Sequence, residues 1–266
     1  MADQPPRSHG RKSVQVSLTP RDLMSEARLA RAWTVQVITL FPDAFPGVLG
    51  ESLTGRALKD GKWQLLPTDL RRFGEGKHRN VDDTPAGGGA GMVLRADIVA
   101  KALDSVRADA PGAGPILYLS PRGRRFDQSM ARSLASGPGM TMICGRFEGL
   151  DERVIEDYGI TEVSLGDFVL SGGEIAAQAM IDACVRLLPG VLGNAASTEE
   201  ESFANGLLEH PQYTRPAEWR GRAIPPVLMS GNHGAVADWR RAQAEEITRK
   251  RRPDLWAAYA ASKDTK

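Results

Sequence analysis

The sequence predicts an α/β protein built on a parallel sheet, followed by a smaller, mainly helical C-terminal part. Three observations carry this. The stretches Ile116-Leu117-Tyr118-Leu119, Met140-Thr141-Met142-Ile143-Cys144 and Glu162-Val163-Ser164-Leu165 each run into a glycine-bearing loop. Helical stretches separate them, the alternation of α/β folds, in which ligands sit beyond the carboxyl ends of the strands. Beyond Pro189 the long apolar runs stop, and the chain becomes small and acidic, then basic.

With 266 residues, 41% of them hydrophobic, the chain can bury one or two cores. A net charge of +1 means that any nucleic-acid surface must be a local patch. Cys144 and Cys184 sit in apolar context without metal-ligand spacing. They read as reduced core residues of a cytoplasmic protein. No apolar run is long enough to span a bilayer, so no membrane partner is expected.

Residues 1–32 are rich in Pro, Ser and Arg. Asp3, Asp22 and Glu26 argue against a transit peptide, and the segment reads as a flexible extension. Thr34 to Phe41 is a buried strand stopped by Pro42, residues 43–60 look helical, and Trp63 to Leu66 looks like a second strand. Arg71, Arg72, Lys77, His78 and Arg79 then place five basic or potentially basic groups within nine residues. A solvated loop is the default for such a run; phosphate contact is the sharper reading. Gly87 to Met92 is glycine-rich but lacks the Gly-Lys-Ser/Thr of a nucleotide-binding P-loop. Helices are expected near Ala96–Ala108 and Asp127–Ser136.

In the third loop, Gly172-Gly173 precedes an apolar segment, Ile175 to Leu188. Its polar residues Gln178, Asp182 and Arg186 recur every fourth position. On a helix they form one stripe, with Asp182 and Arg186 spaced for an ion pair. The rest is apolar, so burial nearly all round is expected, by the core and a second subunit. Gly193 to Ser202 reads as a mobile linker. Ser230 to His233 looks like a helix start, and Val236 to Arg252 looks like a helix with a basic face. The expected organisation is an extension (1–32), a sheet domain (33–192), a linker (193–207) and a helical domain (208–266).

The three loops carry more than a general pattern. Tyr118-Leu119-Ser120-Pro121, Cys144 through Arg153 (CGRFEGLDER) and Gly166 through Glu174 (GDFVLSGGE) resemble the bacterial tRNA (guanine-N1)-methyltransferases, the TrmD family. So do Leu188 to Gly193, Tyr213-Thr214-Arg215-Pro216 and Pro225 to His233, in the same order from about Trp33 to about Leu255. This resemblance implies a SPOUT-type methyltransferase with a deep trefoil knot, homodimeric, its active site at the subunit interface. It also implies S-adenosylmethionine as cofactor, tRNA as partner and guanosine 37, preceded by G36, as target. Magnesium assistance belongs to the same implication, although no residue here marks a metal site.

Residue by residue, the resemblance assigns the cofactor to Tyr118, Leu119, Ser120, Pro121, Gly145, Glu148, Leu165, Gly166, Phe168, Leu170, Gly172 and Gly173. Most contacts would come from the backbone, with the Glu148 carboxylate facing the cationic methionine end. Ser197, Arg215, Gly91 and Arg240 fall on the tRNA side. Guanine N1 keeps its proton at neutral pH, so methylation needs a base near N1 and a cation near O6. Arg186 matches the family's catalytic arginine. Glu201 stands where relatives carry an Asp as proposed base, with Glu200 as the competing carboxylate. On spacing alone, Ser197 with Glu200 and Thr198 with Glu201 also fit capping boxes. The chain departs from the family pattern at Ala90, Arg122, Phe147 and Phe168. A knotted ribose 2′-O-methyltransferase and a non-catalytic RNA-binding homologue are the alternatives.

Overall fold

The computed structural model describes residues 32–109, 112, 114–193 and 201–264. The expectations for residues 1–31 and for Ser197, Thr198 and Glu200 lie outside this set.

Strand β1 (Trp33–Thr39) is buried along almost its whole length. It ends two residues before Phe41. The next segment is not the single helix expected over 43–60: two short 3-10 turns, Pro42–Ala44 and Gly47–Gly50, precede α1 (Ser52–Lys59). Pro42, Pro46 and the two glycines account for the interruption, since proline removes a helical donor and glycine weakens the helix. β2 (Trp63–Asp69) continues past Leu66 through Pro67. It lies at the sheet edge, where a missing N–H is tolerated. The two-residue strands β3 (Asp82–Asp83) and β4 (Val93–Leu94) pair antiparallel around the glycine-rich loop.

Helix α2 (Ala96–Asp109) leads to β5 (Ile116–Arg125), which differs most from expectation. The strand does not stop at Leu119. Its register jumps, so that Leu119 and Arg124 both face Val163 of the neighbouring strand and Ser120 to Gly123 bulge outward. A side chain at Gly123 would collide with the backbone of Val163, so the returning chain passes there only as glycine. Then follow α3 (Gln128–Ala135), β6 (Gly139–Cys144), α4 (Glu152–Tyr158), β7 (Thr161–Ser164) and α5 (Glu174–Val185).

The sheet order is β2-β1-β6-β5-β7, with every neighbouring pair parallel. Alternation along the strands separates two cores. Val35, Val37, Met140 and Met142 pack with Ala131 and Leu134 of α3 and with Ala177, Met180, Ile181 and Cys184 of α5. Ile38 and Ile143 pack on the other face with Ile98, Leu103 and Val106 of α2 and Val154 and Ile155 of α4. Buried polar groups are satisfied: Gln36 donates to the Val106 carbonyl at 2.8 Å and accepts from Thr141 at 3.0 Å. Cys144 and Cys184 are buried and free, as expected. Burial drives the Cys144 thiol well above its ordinary value and Cys184 up to about 12, so both stay protonated.

The core of the single chain buries only part of α5, because Ile175, Ala179 and Asp182 share an exposed face; the expected cover from a second subunit is not tested by one chain. The Asp182–Arg186 ion pair does not form. Asp182 accepts from Thr54 at 2.8 Å, and Gln178 donates to the Ala44 carbonyl at 2.9 Å.

A short hairpin, β8 (Glu218–Trp219) and β9 (Arg222–Ala223), was not legible in the sequence. The final helical stretch is two helices, α6 (His233–Arg251) and α7 (Pro253–Asp264). Asn232 caps the first by accepting from the Ala235 N–H at 3.1 Å. Pro253 opens the second at the position where a missing N–H costs nothing.

Candidate active site

Because the sheet is parallel, the loops after β6 and β7 and the β5 bulge converge on one edge. They enclose a cavity of about 360 Å³. Its lining includes Tyr118, Leu119, Ser120, Pro121, Gly145, Glu148, Leu165, Phe168, Leu170, Gly172 and Gly173. Of the expected cofactor residues only Gly166 is missing. It shapes the turn instead: its N–H donates to Ser164 Oγ at 3.2 Å, and its carbonyl accepts from Phe168 N–H at 2.9 Å.

The third loop is locked to the second. Gly173 N–H donates to the Gly145 carbonyl at 3.0 Å, and a Cβ on Gly173 would stand 2.8 Å from the Cα of Cys144. A Cβ on Gly145 would meet the Tyr118 ring at 2.7 Å. These segments approach so closely that only glycine fits. Tyr118 is itself buried, and desolvation raises its phenol, keeping it neutral.

A buried ionic network that sequence reasoning missed fixes this corner. Glu174, only 4% exposed, accepts from Arg146 Nη2 at 2.8 Å and from Thr39 Oγ1 at 2.7 Å. Arg146 also donates to the Ser171 carbonyl at 3.1 Å, and its guanidinium lies 4.3 Å from the centre of the Phe41 ring. Both residues lie inside the family-like blocks, but their pairing spans 28 positions and Thr39 lies 135 away, so no local pattern announces it. On the opposite wall, Arg122 in the bulge pairs with Glu152 at 2.9 Å and Glu162 at 3.0 Å. Gly91, expected on the tRNA side, lies against the Glu148 carboxylate but does not itself line this cavity.

Arg186 and Glu201 come together. Arg186 Nη1 donates to Glu201 Oε2 at 2.7 Å, and Nη2 donates to Oε1 in a bidentate pair. The Arg186 hydrogen bond holds the Glu201 carboxyl below its ordinary value, while Glu201 raises the guanidinium in return. Glu201 also lines a second cavity, of about 310 Å³, together with Arg240, Arg241, His210 and Tyr259. Arg215 is exposed and lines neither cavity.

Arg186 caps the carboxyl end of α5, whereas Gly173 caps its amino end. Thirteen residues of helical rise separate them by about 20 Å. Within one chain the cavity and the Arg186–Glu201 pair stand at opposite ends of one helix.

The cavity has the size and the mixed apolar and polar lining of a cofactor site, at the strand ends where α/β proteins hold nucleotide-like ligands. An arginine–carboxylate pair stands apart from it. These features define an α/β protein with a ligand cavity at its strand ends, and comparison with known proteins specifies the family. The family described as tRNA (Guanine-1)-methyltransferase TrmD matches residues 33–258. A tRNA (guanine-N(1)-)-methyltransferase of Ruegeria pomeroyi is 72% identical over 232 residues, covering 87% of this chain and 96% of that protein. Proteins of the same name from Ruegeria sp. strain TM1040 and Roseobacter denitrificans are 68% and 66% identical, covering 88% and 90% of this chain and 96% and 99% of their own lengths. The chain belongs to the TrmD family.

Proposed function

We propose that this protein methylates N1 of guanosine 37 in tRNAs carrying G36, with S-adenosylmethionine as donor, and that it works as a cytoplasmic homodimer. When bound, the cofactor supplies an electrophilic methyl group on a sulfonium centre. The cavity residues fit it. Glycine-bearing loops bring backbone to the ligand, Leu119, Leu165 and Leu170 offer apolar walls for an adenine, and Glu148 offers a carboxylate to a cation.

The observation that carries the chemistry is the Arg186–Glu201 pair. Glu201 takes the N1 proton, and Arg186 steadies the negative charge that then builds on O6. In the resting chain each neutralises the other. An entering guanine must part them, presenting N1–H to the carboxylate and O6 to the guanidinium. Freed from its partner, Glu201 loses the hydrogen bond that depresses its pKa and becomes a better base.

The separation of about 20 Å along α5 favours a site shared between two copies, one giving the cavity and the other the pair. The exposed face of α5 supports this, since Ile175 is 64% exposed, and Val48 at 68% and Leu53 at 48% stand exposed on the segments that Gln178 and Asp182 of α5 pack against. The close passage of Gly173 against Cys144-Gly145 supports a knotted crossing. In this reading residues 33–192 bind the cofactor, 193–207 form the linker, and 208–266 carry tRNA through Arg215 and Arg240. Ser197 is assigned to the target base by the family resemblance alone. Magnesium is assigned no residue: among the described residues no group of three His, Cys, Asp or Glu gathers.

The test uses labelled S-adenosylmethionine and two tRNA transcripts, one with G36-G37 and one with A at position 37. Label recovered as 1-methylguanosine from the first alone is the expected result. Label in both places the target elsewhere; label in neither, with tRNA bound, favours a non-catalytic homologue.

A further inference from the structure

We propose that the loop after β2, carrying Arg71, Arg72, Lys77, His78 and Arg79, is a docking surface for the phosphate backbone of RNA. This rests on the tRNA reading above and adds a binding surface to it on the sheet side of the molecule.

All five residues are exposed. None makes an ion pair or side-chain hydrogen bond within the described residues. Crowded like charges repel, and surface carboxylates ordinarily relieve them. Here the acid inside the run is committed elsewhere, and Asp69 and Asp83 beside it hold backbone donors. Glu75, the one acid within the run, is taken by Arg95 at 2.8 Å and Lys101 at 3.3 Å, both outside it. Asp69 accepts from the backbone N–H of Arg71 at 2.9 Å, and Asp83 accepts from Thr84 N–H at 2.7 Å. The positive charge therefore stays available to an outside partner.

The loop also has a fixed shape. Glu75 and Asn80 exchange backbone hydrogen bonds at 3.1 and 2.9 Å, and Arg79 N–H donates to the Gly76 carbonyl at 3.2 Å. Arg79 is held at φ +51°, a backbone region that non-glycine residues enter at a cost. Clustered cations on an ordered turn suit a regular array of anionic oxygens better than a single small anion.

Position identifies the array. β2 runs parallel to the other strands, so this loop leaves the sheet at the same carboxyl edge as the cavity loops. β2 lies two strands from β6, whose loop lines the cavity, a lateral offset of about 10 Å at the usual strand spacing. RNA that places a base at this edge has its flanking phosphates within reach of the loop.

The experiment measures the affinity of the full-length protein for a tRNA transcript bearing G36-G37 as a function of salt. The variant Arg72→Gln/Lys77→Gln/Arg79→Gln is expected to reduce the slope of log K against log salt by about 2–3, roughly one for each phosphate no longer neutralised. The variant Arg72→Lys/Arg79→Lys keeps the charges and is expected to keep the slope. A wild-type slope in the triple variant overturns the proposal. So does loss of slope in the lysine variant, which would assign the effect to loop shape. Loss of fold in the triple variant overturns it too, by showing that these side chains are structural. If the wild-type protein neither binds nor methylates the tRNA, the underlying tRNA reading fails; if it does both and only the slope is unmoved, this proposal fails alone.

Discussion

The two ends of α5 are built on opposite principles. At its amino end, backbone meets backbone through Gly145 and Gly173, and a buried carboxylate is held by Arg146 and Thr39. Nothing there needs to move to present a cavity. At its carboxyl end, Arg186 and Glu201 are each less than a third exposed and grip one another. On the mechanism proposed above, that pair must open before either can act. A preorganised cavity and a self-neutralised pair would then divide the work. The first would lower the ordering cost of binding a cofactor; the second would keep a base and a cation out of play until a substrate separates them.

The largest expected effect is at the pair. Glu201→Gln removes the proton acceptor while keeping its shape, so methyl transfer should fall about 10²–10⁴-fold, with cofactor binding measured by calorimetry unchanged. An equal loss of cofactor affinity would erase the contrast between the two ends. Arg146→Met attacks the other end, leaving the Glu174 carboxylate with Thr39 alone. Unfolding should be easier by about 2–3 kcal/mol, less than the full cost of breaking a buried pair because Arg146 keeps some exposure. Denaturant melts measure this, and cofactor affinity should fall with stability. Ile175→Asp puts a charge on the exposed face of α5 and should weaken self-association by about 10–100-fold in ultracentrifugation.

The smallest effect is the pH dependence of the latch. The folded-state pKa of Glu201 lies below its ordinary 4.5, so its stabilising contribution is present above pH 4.5 and is lost as pH falls through the folded value. For a partly exposed pair this amounts to about 1 kcal/mol or less. Protection of the amides at residues 201–208, taken relative to the intrinsic exchange rate at each pH, should fall below pH 4.5 in the wild type, and Glu201→Gln should show the lower protection already at neutral pH.

The amino end of α5 was the more legible in the sequence, for a physical reason. Loops that approach other backbone need glycine, and glycine is visible in a sequence: Gly145, Gly172 and Gly173 mark the cavity. Gly166 was read the same way but serves the turn under Phe168. The β5 bulge was hidden because Ser120-Pro121-Arg122-Gly123 has the composition of a strand end, and only its register against Val163 shows the chain resuming. The Arg146–Glu174–Thr39 network was illegible because its members are far apart in sequence. At the carboxyl end, four-residue spacing pointed Arg186 to Asp182. The guanidinium chose Glu201 instead, while Thr54 took Asp182, a competition between partners that helical spacing does not report.

The most direct test of a site divided between copies is complementation. Leu170→Arg places a cation in the cavity, where it should repel a sulfonium; Glu201→Gln disables the pair. Each variant alone should be nearly inactive. Mixed after dissociation and reassociation in equal amounts, they should recover about a quarter of wild-type methyl transfer, because half the dimers are hybrids and each hybrid has one intact site. No recovery from hybrids shown to have formed would place cavity and pair in the same chain, and would contradict this account.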